Sequence, residues 1–312
     1  MKFSVIIITR NRLPDLIKTI EAYNQQSWDN KEIIVVDNGS NDGTKERIPQ
    51  LFPSMKYLWL PDNFDIRAIN IGIEMSDGDI IWRTDDDSNP EDINAFAKVA
   101  DIFSKNDDID IICTEDIEVR RNSLIWEWHP IKVDKVNIPE KGYPTIVFPG
   151  TGAGIRRRVY DKIGGFWEFG FEELDFCTRA IINGFGVRYF PNIRTLHYAS
   201  LGNRNQPVRW VKISKQYIRY QWKYFPFWNA LFRTIFYVNV QMIEGIFIKR
   251  LAVSALFEGF FGMLSVAFGT FREERQVVPK EMIPKITLGV NPIKTQILYY
   301  SNILKKLFIK KK

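Results

Sequence analysis

Apolar residues over the first 112 positions fall in short clusters separated by polar, turn-forming stretches. Residues 4–8 (Ser-Val-Ile-Ile-Ile) are a nearly unbroken β-branched run, as expected of a strand buried on both faces. A helix is predicted over 14–26, with Pro14 in its first turn and Leu16, Ile17, Ile20 and Tyr23 on one face. The same alternation continues with strands at 32–36, 57–60, 79–82 and 109–113 and helices at 41–52, 66–75 and 91–104. Strand–helix alternation of this kind predicts a mainly parallel sheet with right-handed crossovers.

In such a sheet the carboxyl ends of the strands share one edge, and ligands bind there. Those ends read Thr9-Arg10-Asn11-Arg12, Asp37-Asn38-Gly39-Ser40 and Thr84-Asp85-Asp86-Asp87. Polar residues with no structural task thus collect along one line. Beyond residue 113 the pattern is irregular up to 144, with Trp126 and Trp128 among charged residues. A Gly-rich stretch at 150–154, a basic helix start at 156–163, a helix at 171–183 and short strands at 187–190 and 194–198 follow.

After residue 206 the character changes. Residues 207–225 form a basic, aromatic helix candidate. Residues 227–248 are apolar but interrupted by Arg233, Asn239, Gln241 and Glu244, and 251–271 carry a single charge, Glu258. The chain therefore divides into 1–206 and 207–312. Its formal charge of +6 conceals an asymmetry: residues 207–312 hold 18 Lys and Arg against 5 Asp and Glu, and the remainder is net acidic. Two surfaces with different partners are implied. Hydrophobic residues at 45% and charged residues at 26% exclude wholesale disorder. Cys113 and Cys177 are too few for a disulfide framework and read as buried thiols in a reducing compartment. The N-terminal apolar run meets Thr9-Arg10-Asn11-Arg12 without a small-residue cleavage site. It reads as a strand rather than a signal peptide, which puts the first half in the cytosol.

Three adjacent carboxylates repel one another, so Asp85-Asp86-Asp87 needs a cation or full solvation. Oxygen ligation suits Mg²⁺ or Mn²⁺, which keep part of their shell for phosphate oxygens. A solvated acidic turn ahead of Glu91 is the plain alternative, and the position after a buried strand favours the metal. Asp37, ending a parallel strand, can accept hydrogen bonds from a base or ribose.

The strings FSVIIITRNR, EIIVVDNGSNDGT, NFDIRAINIG and DGDIIWRTDDDSNP occur in that order, followed by GTGAGIRRRVYDKIGGF and EELDFCTRAIINGFGVRYFPNIRTLHY. Over roughly residues 1–200 the chain resembles glycosyltransferase family 2, in particular its rhamnosyltransferase-like branch. The resemblance implies a GT-A fold, an α/β architecture with a Rossmann-like sheet flanked by helices. It also implies an inverting, metal-dependent transfer of a hexosyl-type sugar from a UDP-, GDP- or dTDP-sugar. Thr9, Arg10 and Asp37 would line the nucleoside pocket, with Arg67 and Asn70 near the base or phosphates. Asp85 and Asp87 would form the D-x-D pair with Asp86 between them, Asp87 being the closer metal ligand. His197 would ligate the metal or touch the diphosphate; by itself, a lone histidine at a strand end reads as structural. Glu172-Glu173-Leu174-Asp175 stands where the family has Glu-Asp-x-Asp, whose Asp is the general base. Glu172, Glu173 and Asp175 all remain open as that base, with Glu173 favoured. Arg179, four residues after Asp175, reads as its ion-pair partner. Residues 150–154 read either as a plain loop or as backbone that approaches a sugar closely.

The basic, aromatic 207–312 segment reads as an extension lying on the cytoplasmic face of a membrane, with 251–271 barely meeting the length of a span. A helical subdomain packed on the first domain or on a second subunit is the alternative, so a homo-oligomer stays open. No nucleic-acid-binding module is recognisable. The expected acceptor is a saccharide or lipid-linked saccharide of cell-surface glycan synthesis. An inactive membrane-associated scaffold and a nucleotidyltransferase are the competing readings; the latter would need a glycine-bearing phosphate loop after the first strand.

Overall fold

The computed structural model describes residues 1–120, 132–199 and 206–290. Trp126, Trp128, His129 and the lysines from Lys305 onward lie outside these. The chain divides into two units, Met1–Gly202 and Asn203–Lys312.

In the first unit, β1 (Phe3–Thr9), α1 (Leu13–Asn24), β2 (Lys31–Asp37), α2 (Thr44–Leu51) and β3 (Lys56–Trp59) alternate as the hydrophobic pattern predicts. A 3₁₀ turn at Asp65–Arg67 leads into α3 (Ala68–Glu74). Next come β4 (Ile80–Asp85), the short β5 (Ser88–Pro90), α4 (Ala95–Lys105) and β6 (Ile111–Glu118). The unit is completed by β7 (Tyr143–Pro144), β8 (Ala153–Arg156), α5 (Arg157–Ile163), α6 (Glu172–Ile182) and β9 (Val187–His197). The strand order is β3-β2-β1-β4-β8-β6-β9-β5, with β7 beside β9.

Only the β3-β2-β1-β4 half is uniformly parallel. β8 runs antiparallel to both of its neighbours, β4 and β6, and β5 runs antiparallel to β9. The sheet is therefore mixed, and the expectation of a mainly parallel one holds for its first half. The Gly-rich stretch accounts for the difference. Its end enters β8, and the space a side chain would need at its glycines is filled by other parts of the protein. A Cβ on Gly152 would stand 2.4 Å from Thr195 Oγ1, and one on Gly150 would stand 1.8 Å from Arg83 Nη1. The two short strands expected at 187–198 are one continuous β9, whose register with β6 shifts between Thr114 and Glu115.

Strand alternation sends side chains to two apolar layers. Val5, Ile7, Val35, Ile80 and Trp82 pack under α1, α2 and α4, while Ile6, Ile34, Val36 and Ile81 pack under α3, α5 and α6. Burial on both faces is why β1 and β2 read as unbroken apolar runs. Cys113 and Cys177 are buried and free in the second of these layers. Within the first, Trp82 Nε1 donates to Tyr23 Oη (2.9 Å), Tyr23 donates to Thr84 Oγ1 (2.9 Å), and Thr84 reaches the Thr151 carbonyl (3.0 Å). This buried relay ties α1 and the 151 loop to the functional end of β4.

The second unit is helical: α7 (Gln206–Tyr224), α8 (Phe227–Ile243) with a π turn at Glu244–Ile248, α9 (Val253–Glu273) and α10 (Ile283–Thr287). α9 packs on α7 closely enough that a Cβ on Gly259 would stand 2.2 Å from the Trp210 ring, and Arg219 pairs with Glu274 at 2.7 Å. The other face of α9 exposes Val253, Phe257, Phe261, Leu264, Phe268 and Phe271, and α8 exposes Trp228, Phe232 and Ile235.

Removing the buried indole by Trp82→Ala is expected to cost ~3–5 kcal/mol in denaturant unfolding. Tyr23→Phe, which strands the indole N–H, is expected to cost ~1–3 kcal/mol. A Tyr23→Phe protein as stable as wild type would remove the relay from the account.

Candidate active site

Register alone brings the polar strand ends together, since Thr9 lies opposite Asp37, and Ile8 opposite Asp85. The three acids then part company. Asp86 is buried, takes a hydrogen bond from Thr9 Oγ1 (2.7 Å) and pairs with Arg12 Nη1 (3.1 Å). Burial pushes its carboxyl up to about 7, against the pull of Arg12. Asp87 is 2% exposed and pairs with Arg12 Nη2 at 2.7 Å. Burial works against its charge too, but His197 and Arg12 outweigh it and hold the group at about 2. Asp85 is the most open, 37% exposed, with Oδ1 turned to Arg83 Nη1 at 3.4 Å.

β5 and β9 position the remaining donor. Ser88 lies opposite His197, and the Tyr198 N–H donates to the Asp87 carbonyl (2.8 Å). His197 Nε2 thereby faces Asp87 Oδ1 at 3.5 Å, and Nδ1 faces Asp116 Oδ2 at 3.6 Å. Both distances exceed a hydrogen bond, and Nδ1 and Asp116 Oδ1 are buried without hydrogen-bond partners. Burial lowers the imidazole pKa, but attraction to Asp116 and Asp87 prevails and raises it to about 10.

The donor set of Asp87 and His197 fits a divalent cation, whose binding would displace the proton that the two neighbouring carboxylates hold on the imidazole. Two donors on one ion with bonds of ~2.1 Å stand about 3 Å apart, close to the observed 3.5 Å. Asp116 occupies the outer position that orients a ligating imidazole. Among the described residues no three His, Cys, Asp or Glu side chains form a ready cage, so such an ion would take most of its shell from phosphate oxygens and water. Asp85, expected as the other member of the metal-binding pair, has one oxygen turned to Arg83 at 3.4 Å and is the most exposed of the three.

A second carboxylate group comes from the first turn of α6, where acidic residues complement the helix dipole. Phe171, which precedes it, has a left-handed φ of 62°. Glu172 accepts from the Gly170 N–H at 2.6 Å, and Glu173 Oε1 lies 3.3 Å from Arg83 Nη2. Burial and then the neighbouring Glu172 push Glu173 up to about 8, against the pull of Arg83. Asp175 pairs with Arg179 at 2.7 Å, as its spacing predicts, and Arg179 also donates to the Ile163 and Gly165 carbonyls. That ion pair makes Asp175 a brace for the loop before α6.

Thr9, Asp85, Asp86, Asp87 and His197 are thus brought together. Asp37 is beside Thr9, holding the Ser40 N–H (2.8 Å) and Tyr57 hydroxyl (2.6 Å). Arg10 and Arg67 are exposed. Asn70 is engaged elsewhere: its amide donates to the Phe166 carbonyl and accepts from the Phe166 N–H, both at 2.8 Å. Three residues escaped the sequence reading. Arg12 lay within a noted polar run but had no assigned partner. Arg83 was hidden inside an apolar strand, and Asp116 in a stretch whose charges masked the continuation of β6. An arginine two residues before an acidic triplet was the one usable signal.

A half-parallel, half-mixed sheet with an acidic cluster at the end of β4 defines the GT-A class of glycosyltransferases. The chain belongs to glycosyl transferase family 2, whose family model matches residues 4–164. An uncharacterised glycosyltransferase of Bacillus subtilis, YwdF, is 26% identical over 230 residues, covering 70% of this chain and 82% of that protein. Among solved structures, the mannosyltransferase PcManGT of Pyrobaculum calidifontis, in complex with GDP-Man and Mn²⁺, aligns with a TM-score of 0.52 at 14% identity. The alignment covers 97% of this chain and 80% of that one. GalNAc-T7 with UDP, GalNAc and Mn²⁺ aligns with a TM-score of 0.62 at 14% identity, covering 88% and 58%. At such identities these structures speak for the fold.

Asn70→Ala leaves the Phe166 backbone unpaired and is expected to cost ~1–3 kcal/mol of stability. The affinity for a nucleoside diphosphate, measured by calorimetry, should stay unchanged; a tenfold loss would return Asn70 to the binding site.

Proposed function

We propose that the chain is an inverting, metal-dependent glycosyltransferase that moves a sugar from a nucleoside-diphosphate sugar to a hydroxyl of a saccharide or lipid-linked saccharide. The observation that carries this reading is the pairing of Asp87 with His197 at one end of an acidic cluster, with Glu173 linked to the other end through Arg83.

A divalent cation held by Asp87 and His197 would neutralise charge on the departing diphosphate. The protein's own groups carry the rest. Thr9 and Asp37 end their strands at the edge where a nucleoside would lie, Arg10 follows Thr9 there, and Arg67 is exposed in the turn before α3. Glu173 accepts the proton of the acceptor hydroxyl as its oxygen bonds to the anomeric carbon. The bond from that carbon to the diphosphate oxygen breaks, and the electron pair leaves with the nucleoside diphosphate. A carboxyl raised to about 8 is basic enough to take a hydroxyl proton late in that displacement.

The second unit supports attachment to a membrane surface, here proposed as the cytoplasmic one. α9 is packed on one face and lined on the other by six exposed apolar side chains, and the chain beyond residue 206 has a strong excess of Lys and Arg. A helix buried along one side suits lying in the interface better than crossing the bilayer. Lipid-linked acceptors would be presented at that surface.

Sugar release from UDP-, GDP- and dTDP-sugars is the direct assay, with and without Mn²⁺. Asp87→Asn is expected to abolish metal-dependent donor binding, and Glu173→Gln to keep binding while lowering turnover ~100-fold or more. Because only ionised Glu173 accepts a proton, the wild-type rate should rise with pH through about 8, and the glutamine variant should lose that limb. Absence of binding and hydrolysis with all three donors would defeat the reading. For the membrane, Phe257→Glu with Phe261→Glu should release the protein from anionic vesicles in a flotation assay. Undiminished flotation would place the contact elsewhere.

A further inference from the structure

β4 places one residue where its neighbours call for an apolar side chain. Ile81, Arg83 and Asp85 share the face of β4 that meets α5 and α6, and Ile81 belongs to the apolar layer there with Phe148, Tyr160 and Phe176. Arg83 is 2% exposed, and its Nε and Nη1 are buried without hydrogen-bond partners. Burying a cation this way is costly, and an apolar side chain of similar size often serves stability as well or better. Room for the guanidinium exists only because residue 150 is glycine. What Arg83 does reach is one carboxylate from each side of the site: Asp85 Oδ1 through Nη1 at 3.4 Å and Glu173 Oε1 through Nη2 at 3.3 Å.

We propose that Arg83 is a positioning residue that joins the two carboxylate groups, its guanidinium holding Asp85 on the donor side and Glu173 on the acceptor side at one fixed spacing. The proposal rests on the transferase reading of the site. A planar fork that meets a carboxylate at each of two nitrogens sets a distance; an ammonium, a mobile point charge, does not. Among the described residues, the charged and titratable groups acting on Glu173 are Arg83 and Asp85 from β4, Glu172 and Cys177 on its own helix, and Tyr160 of α5 through Arg83. Arg83 is the only cation among them, so it also favours the ionised form of the base.

The test uses the full-length protein with ¹³C-carboxyl-labelled glutamate, the Glu173 signal being assigned by its loss in Glu173→Gln. Arg83→Met is expected to move the Glu173 titration midpoint upward by about one to three pH units. Arg83→Lys should leave the midpoint near wild type yet lower kcat about tenfold or more, with little change in donor KM. In a Glu173→Gln background, Arg83→Lys should cause no further loss. An unmoved midpoint in Arg83→Met, a wild-type kcat in Arg83→Lys, or losses that multiply in the double variant would each overturn the proposal. Should Arg83→Met fail to fold, Gly150→Ala displaces the same guanidinium and should likewise move the Glu173 midpoint upward. Inactivity of the wild-type protein towards every donor would sink the transferase reading, while the NMR titration would still decide whether Arg83 governs Glu173.

Discussion

The site is governed by the cost of placing acids in surroundings that contain little water. β4 ends in three carboxylates, two of them almost fully buried, and α6 brings two more towards the same strand. Carboxylates in such surroundings either gain a proton or acquire a cation. Each acid has a different solution. Asp87 is held ionised by His197 and Arg12, Asp86 shares Arg12 and sits near the midpoint of its titration at neutral pH, and Asp85 and Glu173 divide Arg83. Chemically similar groups thus acquire different protonation behaviour from their neighbours.

The scaffold makes this division possible by fixing each group from a separate element. Arg12 stands at the start of α1, His197 at the end of β9, and Glu173 in the first turn of α6. The relay from Trp82 through Tyr23 to Thr84 pins the residue immediately before the triplet, and the short β5 pins the residues immediately after it. The triplet is therefore clamped on both sides while its side chains diverge. A loop carrying three aspartates would have had no means of keeping Asp85 turned to one arginine and Asp87 to another.

Much of this was legible in the sequence, and the boundary of legibility has a physical basis. β1, β2 and β4 are buried on both faces and read directly as apolar runs, and the edge they define carried the acidic triplet, Thr9 and Asp37 with it. β8 was not legible because a strand threaded between two others with glycines facing large side chains has neither alternation nor β-branched character at those positions. The end of β6 was hidden because its acids are buried by polar contacts rather than hydrophobicity: Glu115 by ion pairs, Asp116 beside His197, and Glu118 accepting the Arg120 N–H. Asn70 misled for another reason: a polar residue on a helix beside the site looks the same in sequence whether its amide meets a ligand or a neighbouring backbone. Arg83 could be found only once α6 had been folded against β4.

The antiparallel β8 has a consequence for how the chain comes into being on the ribosome. The half-sheet β3-β2-β1-β4 can assemble once residue 85 has emerged, but the strand that covers the flank of β4 ends at Arg156. At ~5–20 residues per second, the nascent protein presents an open, apolar sheet edge for several seconds. Such an edge is a template for pairing with other chains. β8 then bridges β4 to β6, and β9, which emerges after it, completes the sheet beside β6. A shortened protein ending before residue 156 would keep that edge open permanently, so the half-sheet β3-β2-β1-β4 is not a domain that can be cut free.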